Sequence, residues 1–191
     1  PPRDPGARGV SLFLHLPHAC ERVRLRRLRV SDFRAFHAYR GDPEVARYQG
    51  WEATTEIETE ALLRDLARNA SGLEPGEWTQ IGIADGADDR LIGDLGVGLS
   101  PDARTAEFGV SLHPDFQRRG LARDAVAGLI GLLFAHTPVQ RVVASCDVRN
   151  APCLRLLEGL GLQHVGTAEA TYKGEACTER LYAIERPAPA S

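Results

Sequence analysis

The sequence predicts one α/β domain of the α+β type, with a mixed, mostly antiparallel sheet of six to seven strands and about four helices. Three observations carry this. Between residues 79 and 112, three runs of strand character are separated by the polar turns Asp85-Gly86-Ala87-Asp88-Asp89 and Ser100-Pro101-Asp102, the pattern of an antiparallel meander. The strand 105–112, the apolar helix after it and the β-branched run 141–147 make a strand–helix–strand crossover, so those two strands should be parallel. No internal repeat or linker interrupts the 191 residues, so a single domain over 1–191 is expected.

The elements follow in order. Residues 1–10 hold three prolines and two glycines, and 1–20 and 187–191 read as loose tails. Residues 23–30 read as a strand whose arginines, Arg22, Arg24, Arg26, Arg27 and Arg29, form a solvated outer face. Ser31 is placed to cap a helix with Asp32 in its first turn and an apolar stripe of Phe33, Phe36, Ala38 and Tyr39. Gly41-Asp42-Pro43 stops it, and Pro43 suits the first turn of a short helix through Tyr48. Thr54 or Thr55 caps the next, carrying Ile57, Ala61, Leu62, Leu66 and Ala67, with Gly72 near its end. Strands are expected at 79–84, 90–99 and 105–112. A strongly amphipathic helix then repeats Leu121, Ala125, Val126, Leu129, Ile130, Leu133 and Phe134 until Pro138 closes it. A buried strand at 141–147, a short helix at 151–159 and strands at 162–167 and 178–185 complete the chain, with Tyr172-Lys173-Gly174 as a hairpin tip.

Composition excludes several functions. No apolar run approaches the ~20 residues of a membrane span, and the short run 12–16 lacks the features of an export signal, so a cytoplasmic location is expected. A net charge of −3 gives no footprint for broad nucleic-acid binding. Cys20, Cys146, Cys153 and Cys177 contain no C-x-x-C pair, so free thiols are expected and no metal site. Lys173 is the only lysine.

The chemistry concentrates at Gln117-Arg118-Arg119-Gly120-Leu121-Ala122, between a strand and the start of the strongest helix. The first N–H groups of a helix lack intrahelical partners and favour anions. Gly120 allows a sharp turn and close approach, and Arg118, Arg119 and Arg123 add positive charge, so a pyrophosphate fits. A basic turn that merely caps a helix is the other reading. Neither the phosphate-loop spacing ending in Gly-Lys-Ser/Thr nor the Gly-x-Gly-x-x-Gly dinucleotide fingerprint is present.

The run 107–125, Glu-Phe-Gly-Val-Ser-Leu-His-Pro-Asp-Phe-Gln-Arg-Arg-Gly-Leu-Ala-Arg-Asp-Ala, resembles the central motif of the GNAT acetyltransferases. There Gln/Arg-x-x-Gly-x-Gly/Ala cradles the CoA pyrophosphate. The run 150–162, beginning Asn-Ala-Pro-Cys and ending Leu-Glu-Gly-Leu-Gly-Leu, is similar to the corresponding segment of the ribosomal-protein (Rim-type) branch, as are Arg24-Leu25-Arg26 and Asp42-Pro43-Glu44-Val45 followed by Trp51. The resemblance spans roughly residues 22 to 185 and implies a sheet splayed at its centre, with acetyl-CoA between the strands ending at Leu112 and Asp147. Backbone groups near Ser111, Leu112 and His113 would pair with the pantetheine arm. Gln117, Arg118, Arg119, Gly120, Leu121, Ala122 and Arg123 would hold the pyrophosphate, and Asn150 would bond the arm from the far side.

The implied reaction is direct attack of a primary amine on the thioester. Glu107 is the candidate base, with a surface carboxylate as its other reading. Cys153 stands where the branch has a serine that acts as acid, with an inert helix thiol as the alternative. The tyrosine that many members carry in this helix is missing, Leu156 and Leu157 lying in its neighbourhood. Tyr48, Trp51 and Trp78 are candidates for the acceptor side, or core. The acceptor would be a protein N-terminal amine or a small molecule, and the protein a monomer or homodimer. A non-catalytic acyl-CoA-binding module is the competing class.

Overall fold

The computed structural model describes residues 12–68 and 72–188. Its strands are β1 (His18–Ala19), β2 (Val23–Arg26), β3 (Trp78–Asp85), β4 (Leu91–Leu99), β5 (Thr105–Leu112), β6 (Arg141–Asp147), β7 (Gln163–Tyr172) and β8 (Glu175–Glu185). Its helices are α1 (Phe33–Arg40), α2 (Pro43–Ala46), α3 (Glu56–Arg68), α4 (Leu121–His136) and α5 (Ala151–Gly159). One sheet runs in the order β1-β2-β3-β4-β5-β6-β8-β7. Every pair is antiparallel except β5 with β6, as the crossover requires.

The core lies where α4 covers one face of the sheet. Leu121, Ala125, Val126, Leu129 and Leu133 pack with Leu25, Ile81, Ile83, Leu95 and Val97. Each fully buried leucine contributes about 1.5–3 kcal/mol, and truncating Leu129 to alanine would cost about 2–5 kcal/mol. A smaller cluster joins Phe36 and Tyr39 of α1 to Leu63 of α3, Leu28 and Leu91.

Local chemistry sets the helix starts. Thr55 forms a capping box with Glu58: its Oγ1 accepts from the Glu58 N–H at 3.3 Å, and the Glu58 carboxylate accepts from the Thr55 N–H at 2.8 Å. The Asp42 carboxylate accepts from the Glu44 N–H at 2.8 Å, with Pro43 opening α2. Lys173 and Gly174, both at positive φ, make the two-residue turn between β7 and β8.

Several expectations need correction. Residues 12–19 are not a tail: Leu12–His15 form a 3₁₀ turn with Leu12 and Phe13 buried, and β1 pairs with β2. Residues 1–11 and 189–191 lie outside the described residues. Counting β1 brings the strands among the described residues to eight, and the α-helices there number five. The strand expected at 23–30 ends at Arg26, and the solvated-face reading fails there. Arg26 is buried and binds the Asp32 carboxylate through both terminal nitrogens, at 2.8 and 2.9 Å. Asp32 also accepts from the Arg29 N–H, so the chain curls into a 3₁₀ turn (Val30–Asp32) instead of running on or being capped by Ser31. β7 and β8 outrun the predicted strands because they pair along nearly their whole length up to the tight turn.

Candidate active site: a gap between two parallel strands

β5 and β6 are joined at one end only. Thr105, Ala106 and Glu107 pair with Arg141, Val142 and Val143, and the pairing stops there. Each strand continues while bonded to its outer neighbour, so a wedge opens between them. Hydrogen bonds at its two ends fix the parity of β5. The Ser100 N–H donates to the Thr105 carbonyl and the His113 N–H to the Ile92 carbonyl, with unbroken β4–β5 register between. Glu107, Gly109, Ser111 and His113 therefore spend their backbone groups on β4, while Phe108, Val110 and Leu112 turn theirs toward the gap. The Val148-to-Thr178 and Arg186-to-Gln140 bonds likewise leave Ser145 and Asp147 of β6 facing it.

Side chains already reach into this unpaired edge. Gln49 Nε2 donates to the Val110 carbonyl at 3.2 Å and Gln117 Nε2 to the Leu112 carbonyl at 3.0 Å. Of the three positions expected to pair with an extended arm, Leu112 alone has its backbone turned to the gap. Ser111 points its backbone at β4 and lines the cleft with its remaining atoms. His113 lies outside the cleft lining: its N–H is spent on β4, and its Nδ1 accepts the Asp115 N–H at 3.2 Å to cap a short turn.

At the open end sits the N-terminus of α4. Arg118 (φ 59°) and Gly120 (φ 78°) both adopt left-handed backbone, a geometry that converges successive N–H groups into an anion-binding nest. No side chain caps α4. The acidic residue of its first turn, Asp124, faces away and accepts from the N–H groups of Glu21, Arg22 and Val23 at 3.2, 2.7 and 3.0 Å. Arg22 then donates to the Arg119 carbonyl, holding the loop from behind. Gln117, Arg118, Gly120, Leu121, Ala122 and Arg123 line the cleft, whereas Arg119 stacks its guanidinium over Phe116 at 5.5 Å.

Across the gap, Asn150 caps α5: its Oδ1 accepts the Cys153 N–H at 3.2 Å, and its Nδ2 makes no hydrogen bond among the described residues. Cys153 and Cys146 both line the cleft. Cys146 Sγ donates to the Asp147 and Asn150 carbonyls at 3.5 and 3.7 Å, and the proximity of the two thiols raises Cys146 far above the ordinary thiol range and lowers Cys153. Glu158 is a packing residue, accepting from Tyr182 Oη at 2.9 Å.

The cleft, about 1150 Å³, extends through the sheet to a second wall built by the α2–α3 connection and β8. Tyr48, Trp51 and Trp78 line it, as does Glu107. Glu107 keeps an exposed surface, but partial desolvation of its carboxyl raises its pKa, and repulsion from Glu179 raises it further. Glu179 lies on β8 and accepts from Tyr172 Oη at 3.0 Å. The hairpin tip closes this side: Lys173 Nζ donates to the Ala46 carbonyl at 2.7 Å and lies 3.6 Å from Glu52. The sequence reading missed Glu179, Gln49, Arg40 and Arg149 as cleft residues. A carboxylate or amide in an unremarkable strand or loop carries no local signal.

Comparisons with known proteins agree with this architecture. Residues 22–163 match the acetyltransferase (GNAT) domain family. The uncharacterized N-acetyltransferase p20 of Bacillus licheniformis is 28% identical over 148 residues, covering 76% of this chain and 82% of that protein. Among solved structures, the spermidine N-acetyltransferase from Vibrio cholerae in complex with CoA and spermine superposes with a TM-score of 0.73 at 20% identity, over 86% of this chain and 95% of that one. The ribosomal-protein-S5-alanine acetyltransferase from Vibrio fischeri gives 0.74 at 19% identity, over 88% and 96%.

Proposed function

Since the chain belongs to the acetyltransferase (GNAT) domain family, we propose that it transfers an acetyl group from acetyl-CoA to a primary amine by direct attack in a ternary complex. The one-ended pairing of β5 and β6 carries this reading. It leaves a strip of backbone groups with no strand partner, two of whose carbonyls accept only from the Gln49 and Gln117 side chains, leading to an uncapped, cationic helix start, which suits an amide-bearing arm ending in a pyrophosphate.

Roles follow from the chemistry. Phe108, Val110 and Leu112 offer backbone groups to the arm, and a gap-facing N–H meets the oxyanion of the tetrahedral intermediate. Glu107, with its raised pKa, is the base that takes a proton from the incoming ammonium. Cys153 is the candidate donor to the departing thiolate. Its lowered pKa makes it a readier acid than an isolated thiol but leaves less of it protonated as pH rises, so the bulk of the catalysis is assigned to Glu107 and the backbone.

The motif at 150–162 and the likeness to the S5-alanine enzyme favour the Rim-type branch and a protein N-terminal amine. The spermine complex of the Vibrio cholerae protein keeps small-molecule amines as the second acceptor class. The four free cysteines accord with work in the cytoplasm. Calorimetric titration with acetyl-CoA, followed by assay of CoA thiol release with an amine panel, tests the proposal. Micromolar-range binding and amine-dependent release are expected. Binding without release by any amine would make the protein an acyl-CoA-binding module, and no binding would overturn the cofactor reading.

A further inference from the structure

The acceptor-side wall holds a buried arginine whose donors the fold does not use up. Arg40, the last residue of α1, has a side chain only 6% exposed and lines the cleft. Its Nη2 donates to Gln80 Oε1 at 3.1 Å and to the Asp94 carboxylate. Its Nε is buried without a partner, and its Nη1 makes no hydrogen bond among the described residues. The guanidinium lies 4.2 Å from the Trp51 ring centroid and 5.3 Å from that of Phe36, which fixes its plane. An unspent donor on a buried cation is costly unless something else accepts from it.

Next to it the sheet floor carries no side chains. Gly96 and Gly109 face each other in the β4–β5 register, on the face that Asp94, Gly98 and Glu107 share by the two-residue period. A Cβ at Gly109 would meet nothing nearer than Gln49 Oε1 at 3.9 Å, and one at Gly96 would meet the Gln80 amide at 3.3 Å. At Gly98 the Trp78 indole covers the floor, 2.5 Å from where a Cβ would stand. The result is a trench with Arg40 at one end, Glu107 and Trp78 at the other, and bare backbone between.

We propose that Arg40 recognises the acceptor by donating to a carbonyl oxygen near its amine, so that amides of amino acids and short peptides are preferred over plain alkylamines and polyamines. This rests on the transfer reading above. Asp94 already balances the charge of Arg40, so the site suits a neutral carbonyl better than a second ion. Asp94 and Gly98, the residue opposite Glu107, are separated by roughly 14 Å of strand. Two extended residues of an acceptor span roughly 7 Å, and a hydrogen bond of about 2.9 Å at each end fills the remainder. Trp51 and Trp78 supply apolar walls for a small side chain.

The test compares Ala-Ala amide with hexylamine, of similar length but without carbonyls, by CoA thiol release in the wild type and in Arg40→Lys. Lysine keeps a cation opposite Asp94 and removes the planar fork. The kcat/KM for the dipeptide amide should fall about ten- to a hundredfold, that for hexylamine should stay within about threefold, and acetyl-CoA affinity should not change. The differing basicity of the two amines cancels, because each serves as its own reference across the two proteins. Equal loss on both amines, or loss on neither, overturns the role of Arg40. Gly109→Ala is an independent probe, since its methyl meets no close neighbour: it should raise KM for the dipeptide amide with the melting temperature held, and an unchanged KM removes the trench. Acetyl-CoA binding with no thiol release from either amine would instead sink the transfer reading itself.

Discussion

The two halves of the cleft are built differently. The side assigned to the cofactor is made largely of backbone: unpaired groups on β5 and β6, and the left-handed turn that starts α4. The side assigned to the acceptor is made of side chains from α1, the α2–α3 connection, β3, β5, β7 and β8. A backbone site depends on where strands part and helices begin, so it leaves a compact trace in the sequence. A side-chain site depends on which distant residues the topology brings together, and it leaves almost none.

The sharpest way to break this contrast is at Gly120. Its φ of 78° strains any L side chain, and an aspartate there would add negative charge to the proposed phosphate nest. Gly120→Asp should weaken acetyl-CoA binding by more than about a hundredfold, measured calorimetrically, while the far-ultraviolet circular dichroism spectrum stays native. Unchanged affinity would mean that this turn only starts a helix.

Next in size is Glu107→Gln. Loss of a base typically costs about 10²–10⁴-fold in rate, so kcat should fall within that range at neutral pH with little change in acetyl-CoA affinity. Retained turnover would move the base elsewhere and leave Glu107 as a surface carboxylate.

What was legible follows the same division. The meander, the crossover and α4 were readable because turn chemistry and helical period are local signals. Gln117-x-x-Gly120-x-Ala122 was readable because its spacing reports a strand–turn–helix junction. The parity of β5 was not: whether Ser111 or Leu112 faces the gap depends on register against β4, which no local pattern encodes. Arg26 read as solvated because its partner Asp32 becomes a partner only once the chain curls at residues 30–32. Glu179 and Arg40 were invisible as site residues for the same reason, since each gains its role from a neighbour more than forty positions away in the chain.

Glu179 gives the pH test of the acceptor half. Its charge is the second cause, after burial, of the raised Glu107 pKa. The base form of Glu107 should therefore appear above the ordinary carboxylate range as pH rises. Glu179→Gln removes the repulsion and should shift the acid limb of the kcat/KM profile to lower pH, leaving the part due to burial. An acid limb that does not move would mean that another group titrates there. The same raised pKa has a sign for stability: this contribution to folding is fully present below the unfolded-state carboxylate pKa and is lost as pH rises through the folded one.

Asp124 probes whether the nest is held by its surroundings. Its carboxylate gathers three N–H groups at the start of β2, beside the Arg22 that secures the loop. Asp124→Asn keeps the shape but weakens charge-assisted bonds. At about 1–2 kcal/mol the melting temperature should fall by roughly 3–6 °C, with a severalfold loss of acetyl-CoA affinity. Stability loss with full affinity would show that the turn keeps its shape without this anchor.

The smallest effect is expected at Cys153. It lies where the two halves meet, on the first turn of α5, and the neighbouring Cys146 thiol lowers its pKa. A hydroxyl would keep its proton throughout the working pH range and remain an effective donor, whereas a thiol of lowered pKa loses that proton at higher pH. Cys153→Ser should therefore leave turnover at neutral pH within about threefold and flatten any decline on the alkaline side of the profile. Total loss of activity with acetyl-CoA still bound would instead assign the thiol a part in the reaction that proton donation does not explain, and would make this position the exception to the division between backbone and side-chain sites.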